Sequence, residues 1–278
     1  MEFFQNPGKS VEVTLPSGEK YVRHAIKTHF VKIGEDYISL VRQYVSDIYQ
    51  PGDILSVSEK IIALCQKRVI YKKDLKIGFL AKFLSKFVHV TPAGPSVGDP
   101  YKMQSAILIC GAWKVLFAAI CAGIGKIFGK KGIFYEITGP EVSGLDGFYD
   151  LSYKEYGDYG IRIPENPDGV CDEIYEKTGV LTMVVDANDL GVEILGKSSK
   201  LELSKEELAA LIRDNPAGQE AQQTPFILIR RAADPQPEEE LSAQPQLEVQ
   251  PEPEEAPQAD ESGEAAPSET PPAEPAAN

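Results

Sequence analysis

Cysteine and histidine are scarce in this sequence of 278 residues, which contains four Cys and three His. No two Cys form a Cys-x-x-Cys pair, and none has the spacing to a His that a zinc site requires. We therefore expect no zinc site, and the sequence offers no Cys-His or Ser-His-Asp arrangement. Residues 1–9 include Glu2 and lack the apolar core of a secretion signal, which predicts a cytoplasmic protein.

Positive charge is missing from the last 45 residues, Asp234–Asn278, which hold 13 Asp and Glu and 10 Pro but no Lys or Arg. Removing those 13 charges from the net charge of −14 leaves −1 for residues 1–233 (−14 + 13). A near-neutral body has no field to attract phosphate backbones, so no nucleic-acid partner is expected. The composition of residues 234–278 predicts a disordered acidic tail, which either keeps the protein soluble or docks a basic partner.

One long apolar stretch, residues 105–125, contains a single charged side chain, that of Lys114. As a helix it is long enough to span a bilayer. The charge near its middle and its many small residues instead favour a buried helix in a globular core. A membrane is therefore not an expected partner, and a membrane-associated protein that uses this stretch is kept as an alternative.

Helix and strand signals are mixed along residues 1–233 without an internal repeat, which predicts one α+β domain. Apolar spacing and capping residues predict helices over residues 35–49, 58–68, 76–88, 168–178 and 204–214, and a long helix after Asp99. Short apolar runs predict strands over residues 53–57, 132–137, 180–185 and 224–229.

Two aspartates are the leading candidates for chemistry. Asp186 ends a buried-strand run, and Asp146 lies between Leu145 and Gly147 in a glycine-flanked turn. If the two carboxylates converge, a divalent cation would relieve their repulsion, and oxygen ligands suit Mg²⁺ or Mn²⁺. The alternative is that Asp186 caps the next turn and Asp146 faces water.

A second group of polar residues, Lys27, Thr28 and His29, follows an alternating stretch. These side chains are candidates for contact with an anionic substrate, with a surface cluster as the alternative.

Several short motifs occur in a characteristic order. They are Gly52–Leu55, Ser58–Ile62, Ser143–Asp146, Asn166–Gly169, Val184–Asp186 and Pro225–Arg230. In this order, covering residues 21–231, they resemble the coenzyme F420-0:L-glutamate ligase (γ-glutamyl ligase) family, in a divergent bacterial branch.

The resemblance implies a two-lobed α+β fold, a homodimer and an acid–amine ligase. In that family GTP phosphorylates a small-molecule carboxylate, and the amine of glutamate attacks the acyl phosphate. A divalent metal bridges the phosphates, held in part by aspartates that match Asp146 and Asp186. GTP, or ATP in its place, and Mg²⁺ or Mn²⁺ are the implied co-substrate and cofactor.

The sequence departs from the family pattern at several positions. Ala63 and Leu64 stand where the family has a Ser-Lys pair that reaches the nucleotide, Ala187 replaces a hydroxyl ligand, and Tyr149 replaces an Asn. Lys60, Lys27 or Lys126 are candidates to supply the missing charge. The full set of candidate nucleotide- or substrate-binding residues is Lys27, Thr28, His29, Lys60, Asn188, Asp189 and Gln219.

Two further alternatives remain open at this point. One is a folate-type glutamate ligase, since a related branch acts on folates. The other is a non-catalytic nucleotide-binding module that kept the fold and recruits partners through the acidic tail.

Overall fold

The computed structural model describes residues 4–88, 96–148, 154–188, 191–218 and 221–232. The predicted disordered tail lies outside these ranges, as do three residues singled out above, Tyr149, Asp189 and Gln219.

The described strands and helices form a mixed α+β domain, as the sequence predicts. The strands are β1 (Glu12–Thr14), β2 (Lys20–Ile26), β3 (Ile54–Ser58), β4 (Val69–Tyr71), β5 (Asp146–Gly147), β6 (Tyr159–Ile161), β7 (Leu181–Asn188), β8 (Gly191–Lys197) and β9 (Phe226–Arg231). The α-helices are α1 (Tyr37–Tyr44), α2 (Glu59–Cys65), α3 (Phe79–Ser85), α4 (Pro100–Cys110), α5 (Ala112–Ile127), α6 (Ile133–Thr138), α7 (Pro140–Ser143), α8 (Pro167–Thr178) and α9 (Lys205–Leu211).

Six strands build the main sheet in the order β1-β2-β9-β3-β7-β8, and β4-β6-β5 form a small antiparallel sheet. In the main sheet β3 and β7 run parallel, with Ser58 opposite Val185, and the other neighbouring strands are antiparallel. Because the carboxyl ends of parallel strands meet at one edge of a sheet, the residues that follow the paired Ser58 and Val185 are brought together.

Both faces of the main sheet are covered, which explains the unbroken apolar runs in its central strands. Leu55 and Val184 point towards the face that packs against α1, α2 and α8. Ile54 and Met183, one residue away along each strand, point towards the opposite face and pack with Leu208 of α9. This alternation follows from the two-residue period of a strand.

Helix boundaries follow the predicted capping signals in three places. Asp99 accepts hydrogen bonds from the backbone N–H groups of Tyr101 and Lys102 at the start of α4. Ser204 forms the expected capping box with Glu207. Gly179 ends α8 with a φ of 76°, a conformation that glycine adopts without steric cost.

The strand predicted over residues 132–137 is wrong, because this segment forms α6. Its Ile and aromatic residues suit a strand, but they pack against a neighbouring helix. A Cβ at Gly125 of α5 would lie 2.1 Å from Ile133 Cδ1, so the two helices approach closely at this glycine. Tertiary packing here overrides local strand preference.

The single buried helix predicted over residues 105–125 is also wrong. The helix is interrupted at Gly111, whose φ is 87°, and the axes of α4 and α5 are bent by 118°. The residues of α5 that are buried are Val115, Ala118 and Gly125, while its large apolar side chains are exposed. Among the described residues no single helix is long and apolar enough for a membrane span, whereas the bent α4–α5 pair passes that test jointly.

Helices α3 to α7 share one hydrophobic cluster, called here the helical cluster. Its buried members include Ala81, Met103, Ala106, Val115 and Val142. Through α4 and α7 this cluster adjoins the segments that contain Lys102 and Asp146, and it therefore helps to position the site described next.

Candidate functional site

A group of charged side chains collects at the edge of the main sheet where β3 and β7 end. We call it the edge cluster and define it by Glu59, Lys60, Lys102, Asp146, Asp186 and Glu193. Glu59 and Asp186 each follow directly on the paired residues Ser58 and Val185, and Asp186 is opposite Glu193 on β8. Three carboxylates therefore come from consecutive segments of one sheet edge.

Asp146 reaches the edge cluster from the small sheet, where it pairs with Ile161 of β6. Lys60 Nζ lies 2.5 Å from Asp146 Oδ2 and 5.4 Å from the ring centroid of Tyr156. The N–H of Gly147 donates to Asp146 Oδ1 at 2.7 Å, which helps to fix the carboxylate. Gly147 has a φ of 84°, and a Cβ there would lie 2.3 Å from a backbone oxygen, so glycine is required.

Lys102 brings a second ammonium group to Asp146 from α4. Its Nζ lies 4.0 Å from Asp146 Oδ1, and the residue is only 6% exposed. Burial lowers the pKa of Lys102, while the negative charges of Asp146 and Asp99 act in the opposite direction. A buried lysine at a carboxylate is uncommon and marks the cluster as more than a solvated surface.

Glu59 is the most perturbed carboxyl group of the cluster. Burial, reinforced by the negative charge of Asp186, raises the pKa of Glu59 to about 8, although Lys60 opposes the shift. Glu59 therefore holds its proton at neutral pH and can release it slightly above. A group that titrates near the working pH is suited to proton transfer.

Asp186 is perturbed in the same direction. Burial raises its pKa most, Lys60 lowers it, and Asp146 and Glu193 raise it further. The two aspartates singled out in the sequence therefore interact electrostatically within one cluster, although they are 40 residues apart in the chain.

The edge cluster collects oxygen donors without forming a metal site. Within the described ranges no group of three or more His, Cys, Asp or Glu side chains could hold a metal ion. The pKa values of Glu59 and Asp186 are raised first by burial and then by neighbouring negative charges, and a bound cation would relieve both effects. Their oxygen atoms are the ligands that Mg²⁺ and Mn²⁺ prefer, and Lys60 provides a compensating positive charge in this structure.

Lys27, Thr28 and His29 lie at the same sheet edge but contact other groups. They follow Ile26, which is opposite Phe226 at the start of β9. His29 hydrogen bonds to Tyr44 and Glu35 through its two ring nitrogens, at 2.6 and 2.8 Å. The backbone N–H of Thr28 donates to a carbonyl oxygen at 2.9 Å, and Lys27 Nζ lies 6.0 Å from the ring centroid of Phe4. Their predicted role in binding an anion remains a prediction.

Two other predicted residues lie elsewhere. Asn188, the last residue of β7, accepts a hydrogen bond through Oδ1 from the N–H of Gly191, the first residue of β8, at 3.1 Å. Lys126 is exposed on α5.

The positions of the missing Ser-Lys pair are occupied by core residues. Ala63 and Leu64 are both fully buried and pack with Tyr159 and Ile161. Side chains at these two positions therefore contribute to packing between α2 and the small sheet. Within the described residues, the ammonium groups of the edge cluster are those of Lys60 and Lys102.

Sequence reasoning missed Glu59, Lys102 and Glu193 as members of the site. Glu59 had a detectable signal, because it directly follows an apolar strand run just as Asp186 does. Lys102 gave no signal, because a lysine on a helix is normally solvated. Glu193 became recognisable only through its pairing with Asp186.

Comparison with known proteins does not identify a family for this chain. The chain matches no protein-family model, and a search of curated proteins finds no significant match.

Proposed function

We propose that this protein is a nucleotide- and divalent-metal-dependent acid–amine ligase of the γ-glutamyl ligase type. It would add glutamate, or a similar amino acid, to a carboxylate of a small molecule through an acyl phosphate. We also propose that the protein has the two-lobed fold of the γ-glutamyl ligases and is a homodimer.

The observation that carries the proposal is the gathering of Asp146 and Asp186 with Glu59 and Lys60 at one sheet edge. Both aspartates lie in the sequence motifs that resemble the ligase family. Ligands of α/β sheets bind at the carboxyl ends of the parallel strands, which is where these side chains meet.

Each reaction step has a group in the cluster that suits it. A substrate carboxylate oxygen attacks the γ-phosphorus of the nucleotide, and the bond to the β-phosphate oxygen breaks. The amine of glutamate then attacks the acyl carbon, phosphate leaves, and the amine proton passes to the ionised form of Glu59. Lys60 and Lys102 orient anionic groups and stabilise the charge on the transferred phosphoryl group.

A divalent cation held by Asp146 and Asp186 would supply charge neutralisation of the phosphates. The proton transfer assigned to Glu59 follows from its pKa of about 8, which makes both protonation states available near neutral pH.

One observation favours a second candidate, a nucleotide-binding module without turnover. Ala63 and Leu64 are in the core, so the Ser-Lys contact of the family is lost and charge stabilisation of several kcal/mol is missing unless Lys60 or Lys102 replaces it.

The test measures phosphate release and amide formation by the full-length protein. It is mixed with GTP or ATP, Mg²⁺ or Mn²⁺, glutamate, and either coenzyme F420-0 or tetrahydrofolate as acceptor. We expect phosphate and a glutamyl amide in equal amounts with one acceptor. Asp186→Asn should reduce turnover by about a thousandfold or more while Glu176→Gln, on the exposed face of α8, leaves it unchanged.

The same samples separate the two candidates. Mn²⁺ binding measured by electron paramagnetic resonance should weaken in Asp186→Asn and Asp146→Asn. Nucleotide and Mn²⁺ binding without phosphate release would support the module, and unchanged Mn²⁺ binding in both variants would refute the metal role of the aspartates.

A further inference from the structure

Helix α5 presents an exposed stripe of large apolar side chains. Trp113, Phe117, Ile120, Ile124 and Ile127 are spaced by four and three residues, so they lie along one side of the helix. Trp113 is 84% exposed and Ile127 is 81% exposed. The stripe is about 21 Å long at 1.5 Å per residue. Phe128 continues it beyond the helix.

Helix α3 adds a second exposed apolar group on the same helical cluster. Phe79, Phe83 and Phe87 form a ladder with ring centroids 5.9 and 5.0 Å apart. Phe79 is 82% exposed. Lys82 and Lys86, which lie between these phenylalanines in the sequence, are exposed. We call the exposed apolar side chains of α5 the apolar face; a large exposed apolar patch marks an interaction surface.

The apolar face lies in the most basic part of the chain. Residues 75–135 contain eight Lys and one Asp, a net charge of +7 (8 − 1). The rest of residues 1–233 therefore carries −8 (−1 − 7). Lys114 and Lys126 are at opposite ends of the α5 stripe, and Lys130 and Lys131 follow it, all exposed.

An open depression at the end of α5 is also apolar. It has a volume of about 310 Å³ and is lined by Cys121, Ile124, Gly125, Phe128, Lys130 and Ile133. Such an apolar lining suits contact with acyl chains.

We propose that the apolar face docks on the surface of an anionic lipid bilayer, independently of the proposed ligase activity. In this arrangement α5 lies in the plane of the interface, its stripe enters the acyl boundary, and the lysines contact lipid phosphates and carboxylates. Trp113 takes the interfacial position that tryptophan favours.

Charge argues against two other occupants of the face. A symmetric contact with a second copy would bring lysines against lysines, because residues 100–135 contain no Asp or Glu. The acidic tail offers complementary charge, but its only large aliphatic residues are Leu241, Leu247 and Val249, too few to cover the exposed aromatic and aliphatic side chains.

The test is co-sedimentation of the full-length protein with vesicles. One vesicle is phosphatidylcholine alone, and the other contains phosphatidylcholine and phosphatidylserine at 7:3. We expect sedimentation with the second vesicle, weakened by salt, and little with the first. Lys130→Gln/Lys131→Gln should weaken binding about 25-fold, at about fivefold per lysine. The matched control Lys20→Gln/Lys200→Gln, which removes two exposed lysines elsewhere, should bind as the parent protein does.

The apolar contribution is tested by Trp113→Gln/Ile127→Gln, which should abolish sedimentation. Because both side chains are exposed, the circular dichroism spectrum and melting temperature should not change. Phe4→Ser, a partly exposed aromatic position on the main sheet, serves as the apolar control.

Four outcomes would overturn the proposal. One is absence of binding to the anionic vesicle, and another is binding that both face variants leave intact. A third is a dimer, measured by light scattering, that Trp113→Gln/Ile127→Gln dissociates, which would assign the face to a second copy. The fourth is binding only after Glu238, Glu239, Glu240, Glu254 and Glu255 are changed to Gln in the full chain, which would assign the face to the tail.

Discussion

The edge cluster and the apolar face differ in how their charges are balanced. In the edge cluster, carboxylates and ammonium groups from five segments of the chain lie together and offset one another. On the apolar face, large apolar side chains are exposed beside lysines, so the charge there is positive. A partly buried cluster of opposite charges is suited to chemistry. Charges of one sign beside an exposed apolar surface are suited to docking.

The largest stability effect is expected from removing the positive charge at the centre of the edge cluster. Lys60→Met leaves Asp146, Asp186 and Glu59 without this compensation and should lower the free energy of unfolding by about 2–3 kcal/mol. Urea denaturation at pH 7.5 measures the change. Lys200→Met, at an exposed position, is the control and should stay within about 0.5 kcal/mol of the parent protein. An equal effect in both variants would mean that the cluster is no more coupled than the surface.

Glu59→Gln should raise, rather than lower, the free energy of unfolding at alkaline pH. The folded pKa of about 8 lies above the ordinary value of 4.5 for a glutamate, so the folded state binds more protons than the unfolded state between these values. The contribution of Glu59 to stability therefore falls as pH rises from about 4.5 to 8. The variant should be more stable than the parent protein at pH 8.5 and indistinguishable from it at pH 4.

Urea denaturation across this pH range checks the expectation, with Glu176→Gln as a matched substitution at an exposed site. A stability difference between Glu59→Gln and the parent protein that does not vary with pH would contradict the assigned titration.

Two substitutions in α5 sharpen the contrast between its two sides. Val115→Ala removes fully buried methyl groups from the helical cluster and should cost about 1.5 kcal/mol. Phe117→Ala, on the exposed stripe, should change stability by less than about 0.5 kcal/mol. Thermal unfolding of the lipid-free protein measures both. A larger cost for Phe117→Ala would show that another part of the protein already covers the stripe.

The smallest effect concerns the helix that positions Lys102. Asp99→Ala removes the side chain that caps α4 and should cost about 1 kcal/mol. Ser58 precedes α2, and its side chain makes no capping hydrogen bond. Ser58→Ala should therefore lower the free energy of unfolding by less than about 0.5 kcal/mol. Chemical denaturation of the two variants side by side distinguishes them, and equal losses would contradict the capping role of Asp99.

Local signals predicted the elements whose ends are set by nearby atoms. The caps at Asp99 and Ser204 and the end of α8 at Gly179 depend on hydrogen bonds and φ angles within a few residues. By contrast, α6 was predicted as a strand, because its apolar and aromatic residues fit either structure until α5 is in place beside it.

The candidate site shows the same division. Asp186 was identified because a carboxylate that directly follows a buried strand is exceptional, and Asp146 because glycines flank it. Lys102 was not identified, because its burial depends on where α4 packs. The raised pKa of Glu59 was equally invisible, since it arises first from burial and then from Asp186 and Asp146, which are more than 80 residues away in the sequence.

The sequence by itself determined the mixed helices and strands, the helix caps, the acidic composition of residues 234–278 and the two aspartates. These follow from composition, spacing and short-range hydrogen bonding, which a single chain displays directly. Three features depend on long-range packing: Lys60 faces Asp146, Glu59 holds its proton, and one side of α5 is exposed. Burial and the distance between charges depend on which segments pack together, and no local pattern contains that information.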